Sequence, residues 1–485
     1  MSHVTRREML KGLAGISVGA LGASVLAACG ATPTPQVIEK VVTSVVEKEV
    51  TKIVAGTPQV VKETVVVEKP IEAAQPTEIE WWPGWPGPYM LAIAKLFEDK
   101  NPDIKLKVVS NYPEMQAVLA AVASGTPPDI IADVPYTELI VRDTLLPLDD
   151  MINTSTEVSL TDGDIPTQLW EAFAWEGKHY GVPSVDTAGR EGMGFNLNLI
   201  EEAGLDSTNL PTTWEDVLAW HEKITKLDSA GNIEVIGMAP MAERTPACSY
   251  GDPWMWPQMW GFHYIKELKY DIDRPETVEF LKVIKAFYDT VGVEKVQSLQ
   301  SALEGITRGA FGVGKQAMQI TYPSGPAAVW QVNPTHNYKF TYVPVPASRK
   351  GVTMQTAAGH AGVVMKGSKA PEAAFKLAVF LTQKEACDVL LDQVGWVGPR
   401  KSWQATMDLG KYPDLVQANI LFFTNSLTEA KETWVDIDPI DGICESEWNK
   451  AWQGVVYGDL TPEQAAQQMQ ANMTAELENV LRKQG

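Results

Sequence analysis

From residue 77 the chain alternates strand-type and helix-type runs at an interval that few architectures accommodate. Thr77-Glu-Ile-Glu-Trp81 alternates polar and apolar positions, as a half-buried strand does. Residues 89–100 then bring Leu91, Ala92, Ala94 and Phe97 round at helical spacing. Ile104-Lys-Leu-Lys-Val-Val109 reads as a second strand, and Met115, Val118, Leu119 and Val122 mark a helix between Glu114 and Ser124. Gly125-Thr-Pro-Pro128 breaks the chain before a third short strand, Asp129-Ile-Ile-Ala132. Strands separated by single helices pair in parallel, so the spacing predicts an α/β fold. The later half reads as mainly helical. Trp214–Leu227 is opened by Thr212 and Thr213, and Glu276–Tyr288 follows. Pro371–Thr382 and Pro462–Leu481 each carry an early proline, with Ser368 at a distance and Thr461 directly before as caps.

The residues before this region have other signatures. Arg6 and Arg7 open a charged segment, residues 12–28 form an uncharged Gly/Ala-rich run, and Leu26-Ala-Ala-Cys29 closes it. Residues 1–28 are thus read as an export signal. The arginine pair resembles a twin-arginine signal, with Met9 where the pattern usually has Phe. Leu26-Ala-Ala-Cys29 resembles a bacterial lipobox, which implies cleavage before Cys29, lipidation of its sulfur and anchoring to the outer face of the cell membrane. Residues 29–77 mix Val, Thr, Glu, Lys and Pro without an aromatic residue, and the valines keep no single period. A strand pair or short coiled coil is conceivable, but without a single period these residues are read as a mostly unstructured tether with a reach of roughly 40 Å.

The formal charge of −21 disfavours nucleic acid and anionic lipid headgroups as partners. Of four cysteines, Cys29, Cys248, Cys387 and Cys444, none is spaced as C-x-x-C, and the last three are expected to be buried thiols, with one bridge among them left open. Gly309-Ala-Phe-Gly-Val-Gly-Lys-Gln316 fails the phosphate-loop pattern at Gln316, so a turn into a buried strand, 317–320, is the better reading. Asp436-Ile-Asp-Pro-Ile-Asp-Gly442 misses the calcium-loop spacing and reads as an acidic surface loop. No paired histidines, zinc motif or nucleophile elbow is present, so neither a cofactor nor a metal is expected. Glu171, Glu176, Asp186 and Glu191 lie near aromatics, but spacing cannot set two of them across a bond.

The tryptophans carry more. Residues 80–90, Glu-Trp-Trp-Pro-Gly-Trp-Pro-Gly-Pro-Tyr-Met, put three of them on the turn after the first strand. Trp254, Trp256 and Trp260 lie between Gly251 and Gly261, Trp330 follows Tyr322-Pro-Ser-Gly, and Trp396 follows Gly395. Aromatic faces on turns stack on sugar C–H faces, while nearby polar side chains bond hydroxyls. Alternation sends Trp81 to the core.

The order of short motifs resembles the extracellular solute-binding proteins of ABC importers, family 1, which include maltose-binding receptors. The resemblance covers residues 77–485. It is carried by Phe97-Glu-Asp-Lys-Asn-Pro-Asp-Ile104, Ala123-Ser-Gly-Thr-Pro-Pro-Asp-Ile130, Gly181-Val-Pro183 with Gly194-Phe-Asn196, and Pro211-Thr-Thr-Trp-Glu-Asp216. Phe311 with Gly314-Lys-Gln-Ala-Met318, Pro371-Glu-Ala-Ala-Phe-Lys376 and Gly398-Pro-Arg-Lys-Ser402 complete it. It implies a two-lobed periplasmic-binding-protein-like fold (class II) with a hinge and a ligand cleft. Lobe 1 would take residues 78–183 and 362–398, and lobe 2 residues 184–361 and 399–485.

By the same resemblance the protein would be a monomeric receptor, not an enzyme, passing a carbohydrate to the membrane permease. The alternatives are a lipid-anchored glycan-hydrolysing enzyme, or the same receptor holding an anionic solute such as a sugar phosphate through Arg190, Arg244 and Arg308. Carried over by position, the cleft residues would be Trp82, Trp85, Asp133, Tyr136, Asp186, Arg190, Trp254, Trp256, Tyr322 and His360. Thr321-Tyr-Pro-Ser324 departs from the family pattern, which often has a tryptophan here.

Overall fold

The computed structural model describes residues 41–54, 57–70 and 75–482, apart from 85–86, 110–114, 133–135, 185–186, 241–254, 307 and 436. Cys29, Trp85, Asp133, Asp186, Arg244, Cys248 and Trp254 therefore lie outside the described residues. The chain divides into two compact units after Ala74.

In the first unit, Val41–Val54 and Thr57–Pro70 form an antiparallel hairpin with unbroken register from Val41↔Pro70 to Val54↔Thr57. This corrects the reading of residues 29–77 as a mostly unstructured tether. The valines do not need one period along each strand. The register sets Val45, Val46 and Val50 opposite Val66, Val65 and Val61, and Lys48 and Glu49 opposite Glu63 and Lys62. β-Branched residues favour the extended backbone.

The second unit contains two main sheets, one for each lobe. The first has five strands in the order Ile104–Val108, Thr77–Trp82, Ile130–Ile131, Ala361–Val364, Gly181–Pro183. The first three are parallel, as the alternating pattern requires, while Ala361–Val364 runs antiparallel to both its neighbours. Ile79 and Trp81 are fully buried, whereas Glu80 and Trp82 lie on the other face. The buried pair packs with Met90, Ile93 and Phe97 of the helix Pro88–Lys100, which has proline in its first turn. Phe97 meets Phe380 of the helix Pro371–Phe380 edge to face at 5.4 Å. Each such large side chain contributes about 2–3 kcal/mol by burial.

The second sheet is antiparallel, with Gly192–Asn196 between Met318–Thr321 and Tyr338–Thr341. Helices surround it, and their starts follow the sequence. Thr213 Oγ1 accepts from the Asp216 amide at 3.3 Å to open Trp214–Ile224. Thr461 and Gln464 cap each other reciprocally at the head of Pro462–Arg482. No side chain caps Pro371–Phe380; Ser368 instead donates to Asp129 Oδ1 at 2.6 Å. Gln316 is buried and bonds the Met318 carbonyl, at the turn into the buried strand Met318–Thr321.

The chain passes between the sheets side by side. Ser184 N donates to His360 O, Thr187 N to Val397 O, and Gly189 bridges Ala357. A Cβ at Gly189 would fall 1.9 Å from Ser426 Oγ, so only glycine lets these passes approach. Gln355 joins them further: its amide nitrogen donates to Glu191 O and Ser426 Oγ, and its oxygen accepts from Glu191 N.

Cys387 and Cys444 are free and buried. The acidic loop is not at the surface throughout. Asp438 is 4% exposed and accepts from Tyr264 and Tyr270 hydroxyls and the Ile440 amide. Two nearby phenols satisfy its oxygens inside the protein, which spacing alone could not reveal. Among the described residues, no helix is long and apolar enough to cross a membrane, and no cluster of His, Cys, Asp or Glu could hold a metal ion.

Candidate functional site

Parallel strands end together, and the loops that leave those ends converge. In the first sheet Thr77–Trp82, Ile130–Ile131 and Gly181–Pro183 all end at one edge, where Ala361–Val364 begins. That edge gathers Trp82, Tyr136, Ser184 and His360. In open α/β sheets such an edge is where ligands bind.

Trp82 is partly buried, and its Nε1 donates to Glu80 Oε1 at 2.7 Å. Lys107 donates to the other Glu80 oxygen at 2.8 Å. Burial alone would raise the Glu80 pKa, but these two donors outweigh it and hold the carboxyl below its ordinary value. The Trp82 ring is thereby fixed by its polar atom. Tyr136 opens a short helix, accepts the Ala361 amide at 2.9 Å and meets Phe173 edge to face.

His360 follows Gly359, whose φ of +147° an L side chain rarely adopts. Its carbonyl accepts from both the amide and hydroxyl of Ser184. Its ring stacks on Trp396, with centroids 6.2 Å apart and planes 30° from parallel. Tyr89 meets Trp396 edge to face at 6.0 Å. Tyr89, Trp396 and His360 thus form one aromatic ladder. Sequence reasoning placed Tyr89 and Trp396 in aromatic turns but not at the site. For Trp396 the signal was there in the preceding Gly395, which takes φ +75° to end the helix Lys384–Val394.

In the second lobe Arg190 and Tyr322 pack on each other. The Arg190 guanidinium lies 3.9 Å from the Tyr322 ring centre, and its amide donates to Thr356 O. Both residues are largely buried. Arg308 reaches the same turn and donates to Ser324 Oγ at 2.8 Å. These residues offer guanidinium, hydroxyl and aromatic surface, a set suited to a polyhydroxylated ligand.

Trp256 departs from expectation. It is 1% exposed, stacked on Trp214 at 4.6 Å and packed against Trp260 and Phe280. The segment Met255–Trp260 is a helix rather than a turn, so Trp256 and Trp260 share its buried face. Its ring faces are occupied by the second-lobe core and offer nothing to a ligand.

Residues 84–386 match the family model described as bacterial extracellular solute-binding protein. The chain belongs to that family. Membership makes it an exported protein and accounts for the two lobes. A binding protein of Brucella abortus is 26% identical over 350 residues, which is 71% of this chain and 79% of that protein. Among solved structures, CpMnBP1 with mannotriose bound is 23% identical with a TM-score of 0.69, covering 82% of this chain and all of that one. The ABC substrate-binding protein Lmo0181 from Listeria monocytogenes, in complex with cycloalternan, is 21% identical with a TM-score of 0.67. It covers 83% of this solute-binding protein and 100% of its own chain. At these identities the structural likeness concerns the fold.

Proposed function

We propose that this solute-binding protein is the receptor of an ABC importer and captures a carbohydrate between its lobes for delivery to the membrane permease. The observation that carries this reading is the ladder of Tyr89, Trp396 and His360 at the edge where the first-lobe strands end. Stacked ring faces take the C–H faces of sugars, and the adjoining hydroxyls and guanidinium take the sugar hydroxyls. The mannotriose and cycloalternan held by the two structural relatives agree with that chemistry. Trp85, Asp133, Asp186 and Trp254 are assigned to the same cleft by their positions in the sequence.

The lobes, 78–183 with 362–398 and 184–361 with 399–485, would close by rotation about the side-by-side passes. Greater affinity of the ligand for the closed form drives that closure, with no catalytic step. Lipidation at Cys29 after removal of residues 1–28 would hold the receptor at the outer face of the membrane. A thermal-shift panel of mono- and oligosaccharides tests the ligand class. Stabilisation by at least one sugar is expected; a response to peptides or polyamines alone would sink it.

A second reading, an acidic sugar such as a sugar phosphate, is favoured by the approach of Arg190 and Arg308 to the Tyr322–Ser324 turn. Matched pairs in the panel, glucose against glucose 6-phosphate, decide between the two.

A further inference from the structure

The second lobe has a cavity of about 360 Å³ between the helices Pro275–Val291, Val293–Ala302 and the Tyr457 end of Asp441–Tyr457, and none of the residues lining it is among those of the interlobe edge just described. Its volume falls within the range of small-molecule sites. Tyr288 and Trp452 line it as a stacked pair, 5.9 Å apart with planes at 27°. Their polar atoms are already engaged: the Tyr288 hydroxyl donates to Pro240 O, and Trp452 Nε1 donates to Asn449 Oδ1. The pair is therefore fixed in place as a mostly buried part of the lining, the two residues only 4% and 5% exposed.

Tyr457 adds a third ring, 45% exposed, whose hydroxyl accepts from Gln297 Nε2. Gln300, Gln453 and Glu304 also line the cavity, and among the described residues no hydrogen bond engages their side chains. Two free amides and a carboxylate can donate to and accept from hydroxyl groups. No lysine or arginine lines the cavity, so an anion has no counter-charge there.

Aromatic carbon surface beside uncommitted amides is the chemistry of an uncharged sugar ring. We propose that this cavity is a second saccharide site, separate from the interlobe cleft and able to hold one or two rings of a neutral glycan. This inference stands on its own residues and not on the reading of the cleft.

The test is fluorine NMR of the full chain labelled with fluorotryptophan, titrated with mannotriose, maltotriose and choline. Trp452→Phe and Trp396→Phe assign the two reporter signals. A saturable shift of the Trp452 signal with a trisaccharide is expected. The double variant Tyr457→Ala/Gln300→Ala, which changes only surface side chains, should weaken that response about tenfold and leave the Trp396 response unchanged. The proposal is overturned if the Trp452 signal ignores both trisaccharides while the Trp396 signal moves. It is equally overturned if the double variant titrates like the parent, or if choline alone shifts Trp452, which would make the cavity an amine site. If Trp452 responds and Trp396 does not, the second site stands and neither trisaccharide is the ligand of the cleft.

Discussion

The Trp396 indole stacks on the His360 imidazole, 6.2 Å between centroids, although one follows the end of a helix and the other precedes a sheet strand. Ser184 holds the His360 carbonyl, and Tyr89 abuts Trp396 from the first helix of the lobe. Four separate chain segments thus meet at one point on the sheet edge.

Replacing Trp396 with alanine should lower sugar affinity by at least about tenfold. The ring is only partly buried, so the melting temperature should fall little. Calorimetric titration beside a thermal melt checks both, and a large loss of stability with unchanged affinity would return this tryptophan to a packing role.

Trp256→Ala should do the opposite. Its ring is enclosed by Trp214, Trp260 and Phe280, and deletion of such a side chain costs about 3–5 kcal/mol. Denaturant unfolding should show that loss, while the fraction still folded binds ligand with ordinary affinity.

Arg190→Lys keeps the positive charge but loses the planar group over Tyr322, a contact worth about 0.5–2 kcal/mol. If the ligand is an acidic sugar, the substitution should weaken it more than its neutral counterpart. Titrations with glucose 6-phosphate and glucose measure the difference.

His221 gives a pH dependence of stability. Burial lowers its pKa from 6.5 to about 4, and its Nδ1 accepts the Met238 amide at 3.0 Å, which requires the neutral ring. Between those values the unfolded chain takes up a proton that the folded protein refuses. The stabilisation is therefore complete above pH 6.5 and is lost as the pH falls towards 4, by roughly 3 kcal/mol at the limit. His221→Gln retains an acceptor without the titration, so its stability curve should be flatter across that window.

Asp438 acts with the opposite sign. Burial raises its pKa above the ordinary 3.8, against the lowering effect of donors that include Ile440, Tyr270 and Tyr264. Its contribution to stability is greatest below the unfolded pKa and is lost as the pH rises through the folded one. Asp438→Asn should then be less sensitive to rising pH than the parent, measured by urea unfolding at several pH values.

The sequence by itself determined the parts of this fold that depend on neighbours along the chain. Period-two and period-3.6 patterns placed a strand at 77–82, another at 104–109 that the structure ends at Val108, the helix between them and the inward turn of Trp81. Thr213 and Thr461 marked helix starts because a cap bonds an amide only a few residues away. The family resemblance supplied the two-lobed fold and named Trp82, Tyr136 and His360, which lie where the first-lobe strands end, and Arg190 and Tyr322, which pack on each other in the second lobe. Tertiary structure decided what lies at long range. The antiparallel strand Ala361–Val364 brings His360 to Ser184, and the aromatic ladder depends on that pairing. Trp256 and Asp438 looked like surface groups in turn-like or acidic stretches, yet both are enclosed by residues distant in sequence. The hairpin at residues 41–70 was missed for a related reason. Its valines acquire a pattern only when the register sets them opposite one another, and cross-strand pairing is invisible in a single strand's period.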